Sequence, residues 1–222
     1  MIPEKGILLL VDKPHGWTSF DVVKKLRNAL KVKKIGHAGT LDPLATGLLL
    51  IGAGKMTKNL HELQGLDKSY EGIIGLGKTT PSYDLETEFE NETETRHITN
   101  DMIDEVRRKF IGEQVQFPPA HSAIKVDGVR AYKKARNKEE VKLKGRTIQI
   151  RQFEITKIEM PEVYFQVNCS KGTYIRSLAH DFGKELEVGG YLKSLRRTEI
   201  GSFSVEKAHT PEEIIKKFSP QE

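Results

Sequence analysis

The sequence predicts an α+β fold in which a mixed, largely antiparallel sheet is flanked by helices and loops. Strand-like and helix-like segments follow one another along the 222 residues without regular βαβ repetition. Hydrophobic residues make up 37% and charged residues 30% of the chain, a balance typical of a globular domain with a packed core. The length suits one generous domain, or one domain with an insert.

The elements follow from the spacing of apolar residues. Short apolar or alternating runs predict strands at residues 6–11, 46–51, 68–76, 146–160 and 163–169, with a further strand region near the end. Apolar residues three or four apart predict helices at residues 19–31, 55–63, 99–111, 131–136 and 174–186, and after Thr210-Pro211. Thr18 and Asp21 have the spacing of a capping box at the start of the first helix. Glycine, proline and acidic residues predict loops at 36–43 and 81–95.

Charge is distributed unevenly along the chain. The net charge is +5, but residues 84–105 contain nine acids and one base, whereas residues 125–151 contain ten bases and three acids. A basic block of this kind is typical of a surface that binds a polyanion. A solvated surface without a partner explains the charge alone equally well.

The sequence argues against a membrane protein and against a metal site. Its apolar runs are shorter than the roughly 18 residues of a membrane helix, and its start has no signal-peptide pattern, so we expect a cytoplasmic protein. The one cysteine, Cys169, lies in an alternating run, which favours a buried thiol over a nucleophile. Cysteines and histidines are not clustered at zinc spacing.

One local pattern suggests a nucleotide site, but its context is wrong. Residues 72–79 match the phosphate-loop pattern G-x-x-x-x-G-K-[ST]. Such a loop requires a preceding strand and a helix that begins at the lysine. Here the supposed loop is itself strand-like, and Pro81 stands where the helix would form its first turn. The pattern therefore indicates a glycine-rich strand end.

The segment best suited to chemistry is GHAGTLDPLATG, at residues 36–47. Its glycines permit tight turns and the close approach of another backbone. Pro43 restrains the chain directly after Asp42 and biases that residue away from helix. A carboxylate is thus held on a stiff loop between buried elements. A structural Asp42 that caps Thr46 or a turn amide fits the same spacing.

This segment resembles the signature of TruB-type pseudouridine synthases, G-H-x-G-x-L-D-P-x-A-x-G, in which the aspartate is catalytic. Asp42 occupies that position. Further blocks resemble the family in the same order: D-K-P-x-G within residues 8–16, K-x-Y at 68–70, S-A-I-K within 118–132, S-K-G-T-Y-I-R at 170–176 and L-R-R-T at 195–198. The resemblance covers nearly the whole chain and implies the pseudouridine synthase fold.

The resemblance implies a reaction without metal or cofactor, in which Asp42 acts as nucleophile or base on a uridine flipped out of its stack. Whether the carboxylate attacks the sugar C1′, attacks C6 of uracil or removes a ribose proton stays open. The substrate-binding residues that the resemblance implies are His37, Tyr70, Tyr174, Arg176 and Leu195.

Four of the implied roles have an alternative. Arg176 is expected to keep Asp42 ionised, the alternative being a surface arginine. Tyr70 is expected to stack on the flipped base, the alternative being a core aromatic. His37 is expected to fill space near that base, with acid–base work as the alternative. Asp84 aligns with a family acid near the active site, but its acidic surroundings fit a solvated role as well.

The function implied is the conversion of uridine to pseudouridine at position 55 in the T loop of tRNA. The basic segment at about 118–150 is expected to clasp the T arm as a thumb. We expect one catalytic domain over 1–222 that lacks the family's C-terminal, PUA-like RNA-binding domain, and a monomer that needs no protein partner. The alternatives are a tRNA-binding chaperone of the same fold and the modification of another RNA.

Overall fold

The computed structural model describes residues 3–122, 124–126, 128–131, 134, 137 and 143–218. Its strands are β1 (Ile7–Lys13), β2 (Ile35–Ala38), β3 (Thr46–Ala53), β4 (Lys68–Leu76), β5 (Lys78–Thr79), β6 (Asn91–Glu92), β7 (Gly112–Gln116), β8 (Lys125–Val126), β9 (Val129–Arg130), β10 (Arg146–Glu159), β11 (Glu162–Cys169), β12 (Gly190–Ile200) and β13 (Phe203–Ser204). Its helices are α1 (Ser19–Ala29), α2 (Leu60–Gln64), α3 (Asn100–Lys109), α4 (Ile175–Glu185) and α5 (Pro211–Phe218), with 3-10 helices at Gly54–Asn59 and Val205–Lys207.

The chain divides into two compact units. The first comprises Met1–Glu71 with Leu195–Glu222, and the second comprises Gly72–Ser194. Strands β4 and β12 contribute residues to both units. The fold is α+β with a mixed sheet, as the sequence predicted: most pairs are antiparallel, whereas β12 runs parallel to β3.

In the first unit, β3 is the central strand. Strand β1 pairs with it along one edge, and β12 and β2 pair with successive parts of the other edge. Alternate residues of β1 and β3, including Leu9, Val11, Leu49 and Ile51, pack against α1 and α5. Their neighbours face a second apolar cluster that includes α2 and β13. Burial on both faces explains why the two strands are apolar almost without interruption.

In the second unit, the strand order is β4, β11, β10 and β7, with helices α3 and α4 packed on the sheet. Four aromatic rings form the centre of this core, with centroid distances of 5.8 to 6.4 Å. Phe110 follows α3, Phe153 and Phe165 lie in β10 and β11, and Phe182 lies in α4. Cys169, at the end of β11, is buried as predicted.

Several local predictions are confirmed. The capping box is present, since the Thr18 hydroxyl accepts from the Asp21 amide and the Asp21 carboxylate accepts from the Thr18 amide. The strands predicted at 68–76, 146–160 and 163–169 match β4, β10 and β11 within about three residues. The phosphate-loop pattern lies in β4 and β5, and residues 80–99 form no helix, so its strand interpretation holds.

Other predictions need correction. Residues 36–38 of the loop predicted at 36–43 belong to β2, because their backbone pairs with the end of β3. The helix predicted at 55–63 begins as a 3-10 turn and becomes α-helical only at Leu60. Strand β7 was not predicted, and it forms by pairing with the start of β10. The loop predicted at 81–95 contains β6, which pairs with β5. Residues 132, 133, 135 and 136 of the helix predicted at 131–136 lie outside the described residues, as does part of the 118–150 segment.

Gly47 in β3 is the point at which β1 and β12 both pair closely with that strand. It lies opposite Lys13 of β1 and opposite Arg197 of β12. Its φ of +100° is left-handed, and a Cβ here would lie 2.3 Å from the Arg197 carbonyl oxygen. Only glycine therefore lets β12 approach β3 at this point.

We expect Gly47→Ala to destabilise the protein by at least about 3 kcal/mol, because backbone strain adds to a main-chain collision. Gly16→Ala is the matched control, since Gly16 also has a positive φ, of +81°, but a Cβ there would meet nothing within 4 Å. That variant should lose only about 1 kcal/mol. Denaturant unfolding of both variants measures the difference, and equal losses would contradict the packing argument.

Candidate active site

The loop between β2 and β3 presents Asp42 as a half-buried carboxylate. The Asp42 carbonyl accepts a hydrogen bond from the Ala45 amide at 3.1 Å, which closes a tight turn around Pro43. The Pro43 carbonyl in turn accepts from the Gly16 amide at 2.9 Å. The carboxylate thus stands on a turn whose backbone is fixed on both sides of it.

Ser19 holds the residue before the acid. The Leu41 amide donates to the Ser19 hydroxyl at 2.8 Å, and that hydroxyl donates to the Leu41 carbonyl at 3.2 Å. Ser19 is 2% exposed and is the first residue of α1, so the helix itself anchors the loop. Both backbone groups of Leu41 are satisfied by one side chain, as buried peptide groups require.

Lys13 holds the residue after the acid. Its side chain is fully buried, and its Nζ donates to the carbonyls of Pro14, Trp17 and Pro43 at 3.0, 2.5 and 3.3 Å. Burial lowers the pKa of Lys13 to about 8, although the charge of Asp42 opposes this shift. The ammonium therefore lies within electrostatic range of the Asp42 carboxylate.

Arg197 holds the loop from the opposite side of Gly47. Its guanidinium is 1% exposed and donates from Nε to the Leu48 carbonyl at 2.7 Å. The two terminal nitrogens approach the carbonyls of Gly39 and Thr40 at 3.3 and 3.5 Å. Arg197 thus fixes the beginning of the loop, and the planar fork of donors suits several carbonyls at once.

The neighbours of these two cations form an ion pair on the other face of the strands. Arg196 donates to both carboxylate oxygens of Asp12, at 3.0 and 2.7 Å. The pair raises the pKa of Arg196 through this hydrogen bond. Successive strand residues point to opposite faces of the sheet. Asp12 and Arg196 therefore form the ion pair on one face, while Lys13 and Arg197 bond to the loop on the other.

The first unit also contains three of the other predicted site residues. His37 lies in β2, five residues before Asp42, where burial lowers its pKa and the Gly39 backbone partly offsets the effect. Tyr70 is buried in β4 at 9% exposure, and Leu195 is half-buried in β12. Lys68 ties the start of β4 to the preceding turn through the Gln64 and Leu66 carbonyls.

The second unit brings Arg176 and Asp84 together. Arg176 lies in the first turn of α4 at 3% exposure, and its Nε is 3.6 Å from Oδ2 of Asp84, which is 4% exposed. Nη1 of Arg176 donates to the carbonyls of Ser82 and His121, each at 3.0 Å. The surface alternative for Arg176 and the solvated alternative for Asp84 are therefore wrong. The predicted action of Arg176 on Asp42 stays a prediction.

Buried hydroxyls shape the turn that carries Asp84. Thr80 and Ser82, at 1% and 0% exposure, both donate to the Asp84 carbonyl. Tyr83 adopts a left-handed φ of +64° and stacks on the His180 ring of α4, with 3.8 Å between ring centroids. The turn is thus folded back on the helix that carries Arg176, which explains how an acid in an acidic segment becomes buried.

Gln116 determines where α4 begins. Its side-chain carbonyl accepts from the Tyr174 amide at 2.8 Å, and its amide donates to the Tyr174 carbonyl at 3.0 Å. The Arg146 guanidinium lies over the half-buried Tyr174 ring, 5.1 Å from its centroid. Ser177 adds a hydrogen bond to the Phe117 carbonyl at 2.8 Å.

Sequence reasoning therefore missed the residues that hold the loop and helix in place, namely Lys13, Ser19, Gln116, Ser177 and Arg197. The available signals for two of them were the adjacent D-K pair that follows the first predicted strand and the R-R pair at 196–197. Within the described part of the chain, no three His, Cys, Asp or Glu side chains are grouped so that they could hold a metal ion. No described helix is long and apolar enough to cross a membrane.

The chain matches the models of two protein families. The family described as "TruB family pseudouridylate synthase (N terminal domain)" matches residues 27–175. The "tRNA pseudouridylate synthase B C-terminal domain" matches residues 176–220.

Full-length relatives and solved structures are similar over most of the chain. The tRNA pseudouridine synthase B of Flavobacterium johnsoniae is 53% identical over 94% of this chain and 95% of its own length. The tRNA pseudouridine synthase B of Chloroherpeton thalassium is 49% identical over 96% of this chain and 90% of its own length. A crystal structure of a Cbf5-Nop10-Gar1 complex matches with a TM-score of 0.75 and 31% identity, over 96% of this chain and 54% of the other. The chain thus spans about half the length of that solved neighbour.

We expect Asp84→Ala to cost about 3 kcal/mol of stability, because it removes a carboxylate that pairs with a buried guanidinium. Asp104→Ala is the matched control, since Asp104 pairs with Arg107 and Arg108 at the surface of the same unit. The control should lose much less stability than Asp84→Ala, because solvent screens its ion pairs. Denaturant unfolding distinguishes the two, and a similar small loss in both would show that the buried pair contributes little.

We expect the stabilities of the wild type and Lys13→Met to diverge with pH. The folded protein releases the Lys13 proton near pH 8, whereas the ordinary value is 10.5, so the unfolded chain binds more protons between these values. The free energy of unfolding of the wild type, relative to the variant, should therefore rise with pH by up to about 3 kcal/mol across this window. Urea unfolding at pH 7.5 and 10.5 measures it, and a constant difference would argue against a depressed pKa.

Proposed function

The chain belongs to the TruB family of pseudouridylate synthases, and we propose that it isomerises a uridine of tRNA to pseudouridine. The observation that carries the proposal is the Asp42 turn, where a half-buried carboxylate stands on a backbone held by Ser19, Lys13 and Arg197. This chain covers nearly the whole length of its relatives, and their names support tRNA as the substrate.

The reaction places a specific demand on the site. The bond from ribose C1′ to N1 of uracil breaks and a bond from C1′ to C5 forms, while C5 loses a proton and N1 gains one. No atoms enter or leave overall, so the chemistry needs a positioned base or nucleophile and no co-reactant. Asp42 supplies it in our proposal, through C1′, C6 or the ribose proton. The ammonium of Lys13, which Asp42 influences electrostatically, favours the ionised carboxylate that each route requires.

The need to position the Asp42 carboxylate explains why several side chains bond to the backbone of its turn. A reacting group displaced by about 1 Å loses much of its effect, on the order of 100-fold in rate. The loop is held through its backbone by hydrogen bonds with Lys13, Ser19 and Arg197, and the Asp42 side chain is half-buried. Extrusion of a base costs a few kcal/mol, which stacking partly recovers. We assign that stacking to Tyr70, with His37, Leu195 and Tyr174 as further substrate contacts.

We propose the T-loop uridine at position 55 as the target, with the chain acting as a monomer on the T arm. The basic 118–150 segment would contact phosphates of the stem, which provides affinity rather than sequence choice. Lys144 and Arg146 are the described cations at its end, and the contact of Arg146 with Tyr174 links this segment to a predicted substrate residue.

We expect Asp42→Asn to abolish turnover while RNA binding changes less than about twofold, because the amide is nearly isosteric but cannot act as base or nucleophile. Asp101→Asn, at an exposed acid in α3, is the control and should retain full activity. Since C5 loses its hydrogen, release of tritium from a T-arm stem-loop that contains 5-tritiated uridine measures turnover directly.

The result separates the possible functions. Turnover by the wild type and not by Asp42→Asn establishes the reaction and its catalytic residue together. Activity retained by Asp42→Asn would refute the mechanism. Tight binding of the stem-loop without turnover by the wild type would instead favour a binding protein or a different target RNA.

A further inference from the structure

Helix α1 has two unlike faces. Its buried face consists of Ser19, Val22, Val23 and Leu26, which pack on the first unit's core or on the Asp42 loop. Its exposed face carries a stripe spaced four, three and four residues apart, formed by Phe20, Lys24, Arg27 and, just past the helix end, Lys31. This spacing places the first three side chains along one line of the helix surface.

Phe20 is unusual within this helix because it is 60% exposed and belongs to neither apolar cluster of the first unit. Trp17, three residues earlier, instead packs against the core. A single exposed aromatic carries little information by itself. Its position at the head of a row of cations gives it significance, since aromatic and basic side chains side by side are typical of single-stranded nucleic-acid surfaces.

The electrostatic character of the face is strongly positive. Residues 19–34 contain six bases and one acid, Asp21. The Asp21 carboxylate accepts hydrogen bonds from the Thr18 amide and hydroxyl at 2.9 and 2.6 Å, so it is occupied by the capping box. Asp21 also interacts electrostatically with Lys24, but the three exposed cations of the stripe outnumber this one acid.

The stripe is physically connected to the candidate catalytic loop. Ser19, the neighbour of Phe20, bonds to both backbone groups of Leu41, the neighbour of Asp42. A path of two Cα–Cα steps and one such hydrogen bond is at most roughly 15 Å long. A nucleotide held at Asp42 would therefore leave adjacent nucleotides of the same strand within reach of α1.

We propose that this face of α1 is an RNA-binding surface in which Phe20 stacks on an unpaired base next to the target uridine, while Lys24, Arg27 and Lys31 contact phosphates. The inference rests on the proposed function and adds a contact surface to it, in the unit that also holds Asp42. Stacking tolerates any base, because each base has a π-face, whereas the cations contribute a salt-dependent affinity.

The two contributions have separate experimental signatures. Phe20→Ala should raise the KM for a T-arm stem-loop about 5- to 50-fold, with most of the effect in KM rather than kcat and with the salt dependence unchanged. Phe20→Trp should restore affinity, whereas Phe20→Leu, which is apolar but has no π-face, should not. The double variant Lys24→Ala/Arg27→Ala should weaken binding and reduce the slope of log Kd against log salt by roughly 1.5.

The matched control is Lys216→Ala/Lys217→Ala, which removes two exposed cations from α5 in the same unit. It should leave KM and the salt slope unchanged. If both double variants changed KM and the salt slope equally, the stripe would contribute only general positive charge, and the inference would be overturned. Full recovery of affinity by Phe20→Leu would overturn it as well.

The test also distinguishes this inference from the proposed function. Absence of turnover by the wild type counts against the function itself. Normal turnover by the wild type, together with unchanged KM in the Phe20→Ala and Lys24→Ala/Arg27→Ala variants, overturns the α1 surface alone.

Discussion

The hydrogen bonds from two buried cations to the backbone of the Asp42 loop are the interaction on which the first unit's site depends. Lys13 and Arg197 lie on either side of Gly47 in three paired strands, and both direct their donors at carbonyls of the loop. A buried ammonium or guanidinium is costly without acceptors, and buried carbonyls are costly without donors. The cations and the carbonyls therefore stabilise one another, and together they hold the loop that carries the half-buried Asp42.

This arrangement also explains why short motifs carry so much of the family resemblance. In Asp12-Lys13 and Arg196-Arg197, one residue of each pair forms a half-buried ion pair and the other supports the loop, because neighbouring strand residues face opposite ways. A substitution in either pair would disturb both the sheet and the site. Gly47 belongs to the same arrangement, since any side chain there would separate the strands that carry the cations.

The second unit uses the same physical device on a helix. Arg176 donates hydrogen bonds to main-chain carbonyls of two separate segments and also lies beside the Asp84 carboxylate. The Gln116 side chain forms hydrogen bonds with both backbone groups of Tyr174, just before α4, and so fixes the start of the helix that carries this arginine. In both units, then, side-chain-to-backbone hydrogen bonds hold the segments that carry predicted functional residues.

The sequence by itself determined the family, the fold class and the locally encoded elements, such as the capping box of Thr18 and Asp21, and it singled out Asp42 as the candidate catalytic residue. These follow from motif order and from periodicity, which are properties of neighbouring residues. Only the tertiary structure decided that Lys13 and Arg197 are buried, that Asp84 is not solvated and that the polar β7 is a strand. Each of these outcomes depends on which distant segment supplies the hydrogen-bonding partner, and strand pairing and burial are not visible in local spacing.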